Sequence, residues 1–253
     1  ALVGGYVAAF EAKRRGENED HIWNILIVVI VLGIVGARLY HVFSTPAGGA
    51  YGWAYYRDNP WAIFDLRSGG LGIYGAVAGG LLGVFLYTYR AKLNLWRYLD
   101  IGSPALLIGQ AIGRWGNWAN QELYGPPTML PWGIKIDEFH RLPPYNNLTQ
   151  YPLETRFHPD FLYESLWNLA GVVLVLVLGR KLAGKLKEGD LFLIYLIWYP
   201  LGRIWVEALR PDAWVIGGIP TAQIISAVLI AVAIVALVLR HRPQSPAQPV
   251  EQA

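Results

Sequence analysis

Residues 22–43 read IWNILIVVIVLGIVGARLYHVF and carry one formal charge, Arg38. An α-helix rises about 1.5 Å per residue and the hydrocarbon core of a bilayer is about 30 Å thick, so roughly twenty such residues cross it. The stretch is apolar on every face, where a surface helix of a soluble protein would show one polar side. It reads as a membrane span. Five more segments have the same character, at 70–89, 101–118, 161–179, 191–209 and 219–239. The chain opens at Ala1 directly in an apolar run ending at Phe10, about half a bilayer long, which reads as the end of a further span. The predicted fold is therefore an all-α integral membrane protein with seven transmembrane helices, the first truncated at its N-terminus.

Composition agrees. Of 253 residues, 54% are hydrophobic and only 15% charged, against about 25% charged in soluble domains. This excludes a disordered chain and disfavours a soluble enzyme. A net charge of +3 is too slight for a nucleic-acid binder. With no cysteine, the chain has no disulfide, no thiolate metal site and no cysteine nucleophile of its own.

The charges sort the connections. Lys13, Arg14 and Arg15, then Arg90, Lys92 and Arg97, then Arg180, Lys181, Lys185 and Lys187, and finally Arg240 and Arg242 all fall on one side. The positive-inside rule makes that side cytoplasmic, together with the C-terminus. The other side carries the connections 44–69, 119–160 and 210–218. The middle one holds Pro126, Pro127, Pro131, Pro143, Pro144, Pro152 and Pro159, too many prolines for a helix. The expected organisation is a membrane domain over 1–239, a small folded cap over 119–160 inserted between spans four and five, and a disordered cytoplasmic tail over 240–253.

Ionisable groups at bilayer depth are costly, so they mark candidate sites. The first cluster is GRWGNWANQELYG, Gly113 to Gly125. At 100° per residue Arg114, Asn117 and Gln121 share a face if the helix runs that far, with Glu122 on its flank. The plain alternative is a helix end where Arg114 snorkels and the asparagines cap. In the second cluster Tyr199, Arg203, Glu207 and Arg210 form a polar stripe at helical spacing. Pro200 is expected to loosen that helix and open a water-accessible notch. A salt-bridge ladder would explain the stripe without function, yet two cations against one carboxylate suit an anionic ligand. The third, RFHPDFLYE, contains His158 and, at the start of a helix, Tyr163 and Glu164 facing the bundle; a histidine beside proline is more often structural than basic. Arg38 needs a buried partner. The glycines from Gly69 to Gly83 lack the Lys-Ser/Thr of a phosphate loop and fit close helix packing, with Tyr74 as a polar handle in that wall.

Gly113-Arg114, Gly116-Asn117, Asn120, Glu122 and Gly125 fit the signature of the prolipoprotein diacylglyceryl transferases, and the chain resembles that family. His158-Pro159 with Leu162-Tyr163-Glu164, Gly36-Ala37-Arg38, Gly69-Gly70, and Arg203 through Glu207 to Arg210-Pro211-Asp212 support the resemblance in the family's order. It implies a seven-span bacterial inner-membrane enzyme with a periplasmic cap. The implied reaction moves the diacylglyceryl group of phosphatidylglycerol to the lipobox cysteine of a prolipoprotein signal peptide, releasing glycerol phosphate. Tyr74 stands where some members carry a histidine proposed as base. On this resemblance and the chemistry above, Arg114, Glu122, Arg203, Glu207 and Tyr74 are the expected catalytic residues. Arg114, Asn117, Asn120, Gly125, His158, Tyr199 and Arg38 are expected to bind substrate. Arginine's rigid fork suits the phosphate, and Glu122 and Glu207 are alternative bases. No metal or organic cofactor is expected. The rival reading is a membrane transporter for an anionic solute, which predicts an inverted repeat that the halves do not show.

Overall fold

The protein is described here from a computed structural model, over residues 1–44, 52–67, 69–210 and 214–242. The tail beyond residue 242 and the Pro211-Asp212 pair lie outside the described residues.

A helix occupies each apolar segment: α1 (Leu2–Arg14), α2 (Asp20–Phe43), α4 (Ile73–Arg90), α5 (Leu95–Ala119), α6 (Asp160–Lys181), α7 (Asp190–Glu207) and α8 (Thr221–Arg240), with a short α3 (Trp53–Asp58) between α2 and α4. Three of them, α2, α6 and α8, are long and apolar enough to cross a membrane, with mean hydropathies of 2.4, 1.9 and 2.8. Only 11% of the apolar window of α8 is buried. Val228, Val232, Val235 and Val238 lie bare along it, as expected where the solvent is lipid.

Helix boundaries differ from the expected ones for local reasons. α5 starts six residues before Ile101, because the Asn94 side chain accepts hydrogen bonds from the backbone N–H of Trp96 and Arg97. α4 starts only at Ile73, because Gly69 and Gly70 have φ of +85° and +80°, outside the right-handed helical region. α7 continues through Pro200, which is itself buried, so no notch opens at that residue.

The contacts divide the chain into two units, Ala1–Ala105 and Leu106–Ala253. In the first, Ala8, Ala9, Ala12, Ile22, Tyr98 and Ile101 form a core of α1, α2 and the start of α5. α2 and α4 meet backbone to backbone: a Cβ on Gly36 would lie 2.3 Å from the Gly75 carbonyl oxygen, and one on Gly79 would lie 2.1 Å from that of Leu32. The glycine wall is thus a packing surface. Arg38 finds its partners in the loop above this crossing. Its Nε and both Nη groups donate to the carbonyls of Ala62, Ile63, Asp65, Gly69 and Gly70 at 2.5–3.1 Å. All five N–H groups of a guanidinium are spent there.

In the second unit α6 and α7 lock through a reciprocal pair of tryptophans. Trp167 and Trp198 stack with centroids 4.4 Å apart, and each indole N–H donates to the other's carbonyl at 2.9 and 3.0 Å. Gly202 and Gly171 make room: a Cβ there would lie 2.4 and 2.5 Å from the rings of Trp167 and Trp198. On the other flank of α6, Ser165 donates to the Ala111 carbonyl at 3.0 Å and accepts from the Trp115 indole at 3.2 Å, fixing its register on α5.

The connection between α5 and α6 folds on itself. Strands β1 (Ile134–Lys135) and β2 (Arg156–Phe157) pair antiparallel, with Ile134 opposite Phe157. Tyr124, Ile136 and Phe157 form a small core. Buried Arg141 gathers the carbonyls of Ile136, Tyr151, Pro152 and Leu153. No α-helix forms between Ala119 and Asp160, as the prolines require.

Candidate functional site

The site of the second unit lies where the end of α5, the start of α6 and the end of α7 meet. Its centre is Glu164, the fifth residue of α6 and 5% exposed. Glu164 Oε1 accepts from Arg203 Nη1 at 2.7 Å, and Glu164 Oε2 lies 2.8 Å from Arg114 Nη2. One carboxylate therefore spans two arginines from two helices. Arg203 Nη2 also pairs with Glu207 Oε2, one turn along α7, and Arg210 Nη1 approaches the same oxygen at 3.5 Å. The tryptophan lock sets the α6–α7 register that brings Glu164 and Arg203 to one level. The Ser165 bonds do the same for Glu164 and Arg114.

From Arg114 the network runs outward through an amide. Arg114 Nη1 donates to Asn117 Oδ1 at 3.4 Å, and Asn117 Nδ2 donates to Glu122 Oε1 at 2.9 Å. Asn120 Nδ2 reaches the same oxygen at 3.1 Å. Glu122 is exposed, and its Oε2 takes no hydrogen bond among the described residues. Glu207, the other carboxylate considered as a base, is 5% exposed and held by two guanidinium groups.

Three arginines and two buried glutamates share this cluster. Their desolvation cost is several kcal/mol per ion unless every partner is in place. Sharing each carboxylate between two arginines offsets that cost. A guanidinium has five donors, so Arg114 and Arg203 keep N–H groups for a ligand. Their side chains are 18% and 12% exposed. The assembly is suited to an oxyanion of phosphate type, beside a carboxylate with an open lone pair.

α5 ends at Ala119, so Gln121 does not extend the Arg114 and Asn117 face. It has φ +52°, and Leu123 has φ +55°, left-handed conformations that cost an L residue about 1–2 kcal/mol each. Gln121 faces the α5–α6 connection instead, where Gln121 Nε2 donates to Asp137 Oδ2 at 2.7 Å and Asp137 N–H donates to Gln121 Oε1 at 2.8 Å. The His140 ring at 2.6 Å is the main cause that holds the Asp137 carboxyl below the usual carboxylate range.

The remaining expected residues are placed as follows. Gly125 N–H donates to the His158 carbonyl at 3.0 Å, and a Cβ there would lie 2.7 Å from Asp160 Oδ1. The position thus requires close backbone approach at the foot of α6. His158 Nδ1 pairs with the Tyr163 hydroxyl at 2.9 Å, which also accepts from the Trp132 indole at 3.0 Å. That is the hydrogen-bonded structural setting weighed above for His158. Tyr199, one turn below Arg203, stacks on Tyr195 with centroids 6.0 Å apart. Arg38 and Tyr74 belong to the first unit. Arg38 is committed to loop carbonyls, and Tyr74 is 46% exposed with its ring 5.7 Å from Tyr40. Glu164 is the residue that sequence reasoning placed facing the bundle but gave no role. Its signal was a carboxylate inside an apolar span with arginines on two other spans.

The family model for prolipoprotein diacylglyceryl transferase matches residues 1–239. A protein of Chloroflexus aggregans is 43% identical over all of this chain and 89% of its own length. One from Halalkalibacterium halodurans is 41% identical over 90% of this chain and 75% of its own, and one from Bacillus mycoides is 37% identical over 95% and 84%. All three are named phosphatidylglycerol–prolipoprotein diacylglyceryl transferase.

Proposed function

The chain belongs to the prolipoprotein diacylglyceryl transferase family, and we propose that the linked Arg114, Glu164 and Arg203 grip the phosphate of phosphatidylglycerol during transfer of its diacylglyceryl group to a prolipoprotein. The acceptor is the lipobox cysteine of the signal peptide. The sulfur forms a bond to the glycerol carbon as the carbon–oxygen bond to phosphate breaks. The bonding pair leaves on the phosphate oxygen, and the products are a thioether and glycerol phosphate.

The donors that face the site support this. A phosphodiester carries one negative charge, and Arg114 and Arg203 both keep N–H groups to meet it. Charge that builds on the leaving oxygen meets donors already aligned, which is where preorganised electrostatics lowers a barrier most. A cysteine thiol has a pKa of about 8.5, so most of it must lose its proton on the way to the transition state. Glu122 is the proton acceptor in this reading, because it is exposed with an open Oε2, while Glu164 and Glu207 are buried and each is held by two guanidinium groups. Asn117 joins the two halves of the chemistry, with Asn120 steadying Glu122. Tyr199, His158 and Gly125 shape the surroundings of the lipid.

The seven apolar helices, the basic residues at one set of their ends and the folded 119–160 connection support a seven-span topology in the bacterial inner membrane. The cap is then periplasmic and the C-terminus cytoplasmic. This puts Arg114 and Arg203 near outward-facing helix ends, at headgroup level.

The observation that carries the reading is the single carboxylate of Glu164 holding Arg114 and Arg203 together. The test supplies phosphatidylglycerol labelled in its diacylglycerol part together with a lipobox peptide, beside a Cys→Ser peptide. Label on the cysteine peptide alone is the expected result. Label on neither, from protein that is folded and inserted, overturns the reading.

A further inference from the structure

Glu122 sits between two residues in left-handed conformation, Gln121 and Leu123. The Glu122 N–H donates to the Asn117 carbonyl at 2.9 Å and the Gln121 N–H to that of Trp118 at 3.1 Å, closing the end of α5, while the Asn117 and Asn120 amides hold the Glu122 side chain. An L residue leaves the left-handed region readily unless its surroundings fix it. Beyond those helix-end bonds, the tie that joins this turn to the rest of the 119–160 connection is the double hydrogen bond between Gln121 and Asp137, at 2.7 and 2.8 Å. Asp137 is itself immobilised, since its Oδ1 accepts from Phe139 N–H, His140 N–H and the His140 ring. The strand pair and the Tyr124, Ile136 and Phe157 core follow directly behind it.

We infer that Gln121 and Asp137 are positioning residues, a clamp by which the 119–160 connection holds Glu122 where it can take the thiol proton. The inference rests on the reading of Glu122 as proton acceptor. It gives the connection a part in the chemical step beyond covering the site. The clamp has a polarity that chemistry can reverse. Gln121 must present its oxygen to the Asp137 N–H, so its NH2 group has to face the Asp137 carboxylate. Asp137→Asn breaks this, because one orientation of the new amide sets two donors against each other at Gln121 and the other does so at Phe139 and His140. Gln121→Glu sets two carboxylates face to face. The double variant restores a complete set: Glu at 121 accepts from the N–H of residue 137 and from its new side-chain NH2, and the Asn oxygen still accepts from 139 and 140.

The experiment measures kcat and KM for phosphatidylglycerol in full-chain protein carrying Gln121→Glu, Asp137→Asn, both together, and separately Glu122→Gln. Each single change is expected to lower kcat about tenfold, the worth of one charged hydrogen bond, with KM within about twofold because Arg114 and Arg203 are untouched. The double variant is expected to recover kcat to within about threefold of the original chain. A merely structural contact would not produce recovery in kcat at constant KM. Singles that turn over normally, or a folded double variant no better than the worse single, overturn the clamp. Glu122→Gln with normal turnover overturns the proton-acceptor reading, and the inference with it; an inactive Glu122→Gln beside an unrescued swap isolates the failure to the clamp.

Discussion

Replacing Glu164 by glutamine tests the centre of the site. The side chain keeps its shape but loses the charge shared by Arg114 and Arg203, at 2.8 and 2.7 Å. With the glutamate side chain 6% exposed, solvent does little to screen the loss. Removing one member of a buried ion network costs about 3–5 kcal/mol. The glutamine oxygen still accepts from one guanidinium, which returns about 1 kcal/mol, but its NH2 group then faces the other. About 3 kcal/mol remains, and at 1.36 kcal/mol per decade this is roughly a hundredfold in rate if it falls on transition-state alignment. Lipid attraction should not suffer, because the site gains positive charge. The expected outcome is kcat down roughly a hundredfold, KM for phosphatidylglycerol unchanged or lower, and a thermal midpoint in detergent down by roughly 5–10 °C. Transfer of labelled diacylglycerol to a lipobox peptide reads the first two quantities, and thermal unfolding reads the third. A folded variant with kcat within about threefold of the original would refute the bridging role.

Arg114→Lys keeps the charge but not the planar fork; insertion should persist while turnover falls about a hundredfold in the transfer assay, and near-normal transfer would count against bidentate grip. Arg38→Lys offers three donors to five carbonyls, leaving at least two unsatisfied at about 1–3 kcal/mol each. Limited proteolysis should then cut within residues 59–70 faster than in the original chain. Gly202→Ala drives a methyl to 2.4 Å from the Trp167 ring. It should lower the thermal midpoint and kcat together, with Trp167→Phe in the same chain restoring much of both. The Asp137 carboxyl lies below its unfolded value, chiefly through His140. Its contribution is complete above the unfolded pKa of about 3.9 and is lost as pH falls through the folded one. Protease resistance of the 119–160 connection should be intact at about pH 5 and drop below about 4, and His140→Ala should raise the pH of that drop.

Helix positions and the identity of the polar clusters were legible because lipid leaves little choice. A backbone in hydrocarbon must satisfy its own hydrogen bonds, so an uninterrupted apolar run of the right length is a helix, and an arginine within it announces itself. The proline-rich connection was equally legible as non-helical. Boundaries were less so, since they hang on single side chains such as Asn94 at the start of α5 and on the left-handed glycines before α4. The fate of Gln121 could not be read from periodicity, which presumes the helix it was meant to extend.

Sequence alone therefore determined that this is a helical membrane chain, which residues are too polar for their surroundings, and which family it resembles. It could not pair them. Arg38 and Arg203 are both arginines within apolar segments, yet one spends every donor on loop carbonyls and the other meets two carboxylates. That difference arises from which helix faces approach and at what level, and the level is fixed by contacts far apart in the chain, such as Trp167 on Gly202 and Ser165 on Ala111. Only the tertiary structure sets those distances, and with them the choice of Glu164 as the residue between two guanidinium groups.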